Sequence, residues 1–154
     1  MIYSIIYIIS LVAANLLVAW LGPWFSPINA FILIGLDLTL RDKIHDKWEG
    51  NPIKIGALIV TAGVISYGLN PASGQIAIAS VISFCLSMVV DSYVYQKLSN
   101  KNWNIRTTGS NVAGAAIDSV VFPTIAFGGL MPEIVAIQFA CKVIGGFIWT
   151  KIIK

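Results

Sequence analysis

Asp37, Asp91, Asp118 and Lys142 each stand inside a long apolar run of a 154-residue chain that is 57% hydrophobic and 11% charged. An ionisable side chain at bilayer depth costs about 2.5 to 3.5 kcal/mol on insertion scales, so four such groups are not expected to be idle. Their types suit ion pairing, proton carriage or recognition of a polar solute. All three chemistries need a site walled off from lipid by protein.

The elements that must position these groups are membrane-spanning helices. A mean hydropathy of +0.83 over 154 residues exceeds what a soluble domain of this size could cover with polar surface. Apolar stretches and their breaks predict an all-α integral membrane protein, one domain over residues 1–154, with six spans: 2–21, 24–40, 53–69, 75–98, 110–127 and 132–150. The first run has no basic residue before it and no small-residue cleavage site after it, and is read as a retained helix. Cys85 and Cys141 both fall in apolar runs, which fits buried free thiols better than a disulfide or a metal site.

Linker composition alternates along the chain. Gly22-Pro23, Asn70 to Gly74 and Gly128 to Met131 are short and carry no basic residue, whereas Arg41 to Pro52 and Ser99 to Gly109 are longer and charged. The positive-inside rule then places the charged linkers and both termini in the cytoplasm. The net charge of +3 follows from this topology and needs no nucleic-acid partner. Trp20, Trp24, Trp48, Trp103 and Trp149 lie near span ends, as interfacial anchors do. Three spans followed by three would face opposite ways, the arrangement of inverted repeats, and the second span of each half opens on a polar cluster followed by an aspartate: Ser26 to Ala30 then Asp37, and Ser110 to Ala113 then Asp118.

Helical spacing groups the polar residues. Ser80, Phe84, Ser87, Asp91 and Tyr95 form one stripe, Asn111, Gly114 or Ala115, Asp118 and Phe122 a second, and Gln138 and Lys142 are one turn apart. With helices ending at the first charge, Asp118 and Lys142 both lie about 13 Å, Asp91 about 9 Å and Asp37 about 6 Å from the cytoplasmic end. These faces are expected to enclose one cavity between midplane and cytoplasm, lined by Asp91, Asp118, Asn111, Gln138, Lys142, Tyr95, Phe84 and Phe122, with Asn29 and Asp37 as further candidates. A bland account stands beside this one: Asp118 with Lys142 as a structural ion pair, Asp37 with Arg41 and the charges from Asp42 to Glu49 as an interfacial network, and the amides as interhelical glue. His45, in a charged linker, reads as solvated, and Glu133 behind Pro132 as a helix-start residue.

Enzymatic chemistry finds little support. One histidine in a linker assembles no Ser-His dyad, no His/Cys cluster offers a metal site, and no phosphate-binding loop is present, so neither a catalytic residue nor a cofactor is expected.

Several blocks together resemble the vitamin-uptake, or queuosine-precursor, transporter family, in its short branch. They are Pro27 to Phe31, Gly35 to Asp42, Ile76 to Ser80, Asp91 to Tyr95, Gly109 to Gly114, Asp118-Ser119 with Phe122-Pro123, Ala126 to Gly128, and Gln138, Lys142 and Gly145-Gly146. The resemblance implies import, across the inner membrane, of a 7-deazaguanine such as 7-cyano-7-deazaguanine. A guanine-like edge presents donors to a carboxylate, its carbonyl wants Asn, Gln or Lys, and its ring wants an aromatic face. Expected partners are that small molecule and the bilayer, with a homo-oligomer left open. Two alternatives remain at this level: the substrate-binding subunit of a multi-component vitamin importer, and a non-transporting scaffold subunit.

Overall fold

A computed structural model describes residues 2–48 and 51–153, apart from the side chain of Pro52. All regular structure among the described residues is helical. Helix α1 is Ile2–Leu21. Helix α2 runs over Pro23–Lys47, opening with a 3-10 turn and passing through a π segment at Ala30–Ile34. Then come α3 (Pro52–Leu69), α4 (Gly74–Lys97), α5 (Trp103–Ala126) and α6 (Pro132–Ile152).

Local chemistry explains where the helices start. Asn51 caps α3, its side-chain oxygen accepting from the backbone N–H groups of Ile53 and Lys54, with Pro52 next in line. Asn102 caps α5 in the same way through Ile105 N–H. Pro132 and Glu133 open α6, as the sequence suggests. Gly22 at φ +80° and Gly128 at φ +74° are the left-handed positions in the turns after α1 and α5.

Four helices, Ile2–Leu21, Pro23–Lys47, Pro71–Lys97 and Pro132–Ile152, are long and apolar enough to cross a membrane, and Ile53–Leu69 is a shorter apolar helix. Large apolar side chains stand fully outward on these helices, among them Ile9, Val64, Ile78, Val89 and Ile144, while Asp, Lys and Arg side chains are buried within. This inside-out distribution belongs to a membrane protein. Inside, Tyr7, Leu11, Ile34, Leu40, Ile44, Ile55, Ile59 and Phe84 form the main apolar core.

The packing order is α1 against α3 and α2, α3 against α4, α4 against α5, α5 against α6, and α6 back against α2. The α2–α6 seam is the closest backbone approach. A Cβ on Gly145 would collide with the Phe31 carbonyl oxygen, and one on Gly35 would stand 2.8 Å from the Gly145 carbonyl carbon. Only glycines permit that crossing. The π segment is anchored to the same partner, its Ile32 carbonyl accepting from the Trp149 indole at 3.0 Å.

Two expected boundaries are corrected. α2 does not end at Leu40 but continues to Lys47, and α5 begins at Trp103 rather than Ser110. The sequence reading stopped each helix at its first charges, yet Arg41 and Asp42 are buried in contact with other helices, so no linker is needed to hold them in water. His45 consequently lies on α2, half-buried, with its ring edge-on to Tyr95 at 5.5 Å, rather than solvated in a loop. Glu49 of that expected linker and the terminal Lys154 lie outside the described residues.

Depths shift with the boundaries. Asp118 stands fifteen residues after Trp103 and eight before Ala126, about 22 Å and 12 Å along α5. It is therefore nearer the end opposite the charged linkers, contrary to the expected placement. Asp37 is ten residues from the end of α2, about 15 Å rather than 6 Å.

Candidate functional site

Five helices converge on one cavity. α1 contributes Ala14 and Asn15, the start of α2 Ser26, Asn29, Ala30 and Ile34, α4 Ser80 and Phe84, α5 Asp118 and Phe122, and α6 Gln138 and Lys142. The backbone is irregular on two sides of it: the π segment of α2, and Pro123 inside α5, which lacks the N–H that would meet the Ser119 carbonyl. Such points are where helices bend. The cavity volume is about 20 Å³, room for roughly one water. A heterocycle enters only when these walls separate.

Lys142 organises the polar wall. Its ammonium lies 2.6 Å from Asp118 Oδ2, and it donates to Gln138 Oε1 at 2.9 Å and Ser119 Oγ at 3.2 Å. Three donors meet three acceptors. Gln138 in turn donates through Nε2 to Ser26 Oγ at 2.6 Å, joining α6 to α2. Asn29 donates to the Ala14 carbonyl at 3.3 Å, and Asn15 to Ser66 Oγ at 3.1 Å. Two buried acceptors on the wall have no donor: Asp118 Oδ1 and Asn29 Oδ1. Buried acceptors left unmade are costly and mark where a donor-bearing ligand fits.

A second polar cluster lies toward the charged linkers. Arg41, only 2% exposed, faces Asp91 Oδ1 at 3.0 Å and donates through Nη1 to Ser87 Oγ at 3.2 Å. Asp42 and Asn111 are buried beside it, and Asp42 Oδ2 and both amide atoms of Asn111 lack partners. Here the packing is tight. A Cβ on Gly114 would stand 3.2 Å from Ser87 Oγ, 3.3 Å from Arg41 Nη2 and 3.3 Å from Asp91 Cβ. At the rim, Tyr95 Oη and Trp103 Nε1 donate to the two oxygens of Asp46, Arg106 stacks on Tyr95 at 4.0 Å, and Lys43 covers Trp103 at 4.4 Å.

Of the residues expected to share one cavity, the structure brings together Asp118, Gln138, Lys142, Phe84, Phe122 and Asn29. Asp91, Asn111 and Tyr95 belong to the Arg41 cluster instead. Asp37 sits apart from both, accepting from the Ser10 hydroxyl of α1. Sequence reasoning noted Ser26, Asn15 and Ser80 without assigning them to the cavity, and read Arg41 and Asp42 as interfacial charges. For Arg41 a signal existed: Leu33, Leu36, Leu40 and Ile44 carry the three- and four-residue apolar spacing past it, which argues for helix rather than linker.

A helical membrane protein with a charge-lined cavity at its centre is thereby defined. The chain matches the family model described as "Putative vitamin uptake transporter" over residues 1–154, its full length. It belongs to that family. No curated protein and no solved structure matches it.

Proposed function

We propose that this protein imports a donor-rich, planar heterocycle of the guanine type, with 7-deazaguanines such as 7-cyano-7-deazaguanine as the best candidates. One observation carries this reading. Two partnerless acceptors, Asp118 Oδ1 and Asn29 Oδ1, share a cavity with the rings of Phe84 and Phe122 and with the amide and ammonium of Gln138 and Lys142.

The chemistry of a guanine edge suits that wall. Its ring N–H and exocyclic amine supply the donors that the carboxylate and Asn29 lack, its carbonyl can replace Asp118 on the Lys142 ammonium, and its ring can lie against a phenylalanine at about 1 to 3 kcal/mol per stacked base. In the unliganded protein Lys142 neutralises Asp118, which keeps the site stable while closed. Entry requires the ion pair to loosen and the walls to part, with the π segment and Pro123 as the bending points. The reading includes six membrane crossings in the inner membrane, with the charged linkers and both termini cytoplasmic.

Uptake of radiolabelled 7-cyano-7-deazaguanine into proteoliposomes tests it. Wild-type protein is expected to give saturable uptake. Asp118→Asn should weaken it by about 10- to 100-fold, the equivalent of one charge-assisted hydrogen bond at about 1.5 to 3 kcal/mol. Asn29→Ala, which removes the second acceptor and leaves the ion pair intact, should weaken it less. Wild-type vesicles that take up no more than empty ones overturn the proposal.

A further inference from the structure

The Arg41 cluster holds more negative than positive charge. Asp42 and Asp91 are 2% and 4% exposed, and Arg41 is the cation buried beside them. The Asp118–Lys142 pair is neutral as a unit and does not offset that surplus. Uncompensated carboxylates in such surroundings bind a counter-charge or a proton. Among the described residues no group of three or more His, Cys, Asp or Glu side chains could hold a metal ion. A proton is the counter-charge that needs no added space in this close packing.

Geometry singles out one carboxyl. Asp91 faces the guanidinium across the α2–α4 interface at 3.0 Å and is paired with it. Asp37 is shut in by Ser10 of α1. Asp42 lies one helical turn from the exposed Asp46, which leads to the surface, and faces Asn111, whose side-chain oxygen is partnerless at 4% exposure. A primary amide is a fitting partner for a carboxylic acid: Oδ1 accepts from the acid O–H while Nδ2 donates to the acid carbonyl. Toward an ionised carboxylate only Nδ2 is of use.

The groups around Asp42 complete the picture. Its own helix brings Arg41 and Asp46, α4 brings Asp91 and Tyr95, and α5 brings the uncharged Asn111 and, stacked on Tyr95, Arg106. α1 brings Tyr7, which faces Arg41, and α3 contributes apolar side chains such as Ile55. α6 meets α2 at this level through uncharged Gly146 and Thr150.

We propose that Asp42 is an exchangeable proton-binding site, separate from the ligand cavity, reached from the cytoplasm by way of Asp46. With the proton on Asp42, Arg41 belongs to Asp91 and clamps α2 to α4. When the proton leaves to solvent through Asp46, Asp42 becomes a second carboxylate competing for the same guanidinium, and the cross-helix clamp is shared. Proton binding thereby sets closure at the cytoplasmic end and couples it to transport, a coupling that rests on the transporter reading above.

Infrared spectroscopy of purified protein in lipid nanodiscs tests the site without any ligand. Wild type should show a protonated-carboxyl C=O band that falls reversibly as pH rises, Asp42→Asn should lose that titrating band, and Asn111→Leu should move its midpoint. A titrating band unchanged in Asp42→Asn, or a midpoint unmoved in Asn111→Leu, overturns the proposal. A second arm uses proteoliposomes and 7-cyano-7-deazaguanine. Asp42→Asn should retain exchange of internal for external ligand, within about two-fold of wild type, and lose accumulation driven by an imposed pH gradient. Gradient-driven accumulation that persists in Asp42→Asn refutes the coupling. Absence of exchange in wild type refutes the transporter reading, and the coupling with it, while the infrared arm still decides the proton site.

Discussion

Among the described residues Lys142 and Arg41 are the two deeply buried cations, and each faces an aspartate on a neighbouring helix, yet their surroundings differ in kind. Lys142 has all its donors engaged and stands on the wall of a cavity, with its aspartate keeping one free oxygen. Arg41 stands in close packing, where Gly114 leaves no space for a guest, and its own Nε lacks an acceptor. A satisfied cation beside a void can lend its partner to a ligand. An under-satisfied cation among surplus carboxylates is suited to exchanging partners.

The largest difference between the two should appear on deleting the packed cation. Arg41→Ala leaves Asp91 buried and unpaired, and is expected to cost about 3 to 5 kcal/mol, read as loss of thermal stability in detergent. The double variant Arg41→Met with Asp91→Leu should recover most of that. If Arg41→Ala unfolds at the wild-type temperature, the cluster is not a structural clamp.

Next comes the seam joining the two regions. Gly145→Ala drives a methyl into the Phe31 carbonyl and should cost about 1 to 3 kcal/mol, or more if α2 cannot shift. Gly146→Ala, whose nearest neighbour would be Leu38 Cδ1 at 3.8 Å, should stay within about 0.5 kcal/mol. Equal melting temperatures for the pair would mean that the seam is looser than drawn.

Smaller still is Gln138→Leu, which removes the bonds to Lys142 and Ser26. The bond to Ser26 joins two helices, a kind that averages about 0.6 kcal/mol in membranes, and the bond to Lys142 lies within α6, so a total of about 1 kcal/mol is expected on the same measurement. The smallest effects contrast two serines of one helix face. Ser87→Ala loses its bond to Arg41 and should cost about 0.6 kcal/mol. Ser80→Ala, on the cavity wall, should leave stability unaltered and act, if at all, on ligand affinity.

Much of this arrangement is legible in the chain. The stripe Ser80, Phe84, Ser87, Asp91, Tyr95 is buried along its whole length, as helical spacing requires. The pairing of Asp118 with Lys142, both displaced into apolar runs, follows from the cost of leaving either alone. What misled was treating the first charge as the end of a span. Arg41 and Asp42 look like linker residues until their partners on α4 and α5 are known, because burial of a charge depends on what other helices bring to it.

The amino-acid sequence by itself determined the helical membrane class and the polar stripe of α4, because hydropathy and 3.6-residue periodicity are local properties of the chain. Only the tertiary structure decided that one continuous stripe serves two sites. Ser80 and Phe84 open onto the cavity, whereas Ser87, Asp91 and Tyr95 close onto α2 and its rim. The division falls where Arg41 reaches across from α2 and Gly114 lets α5 come near, and whether space remains between helices is set by side chains distant in sequence.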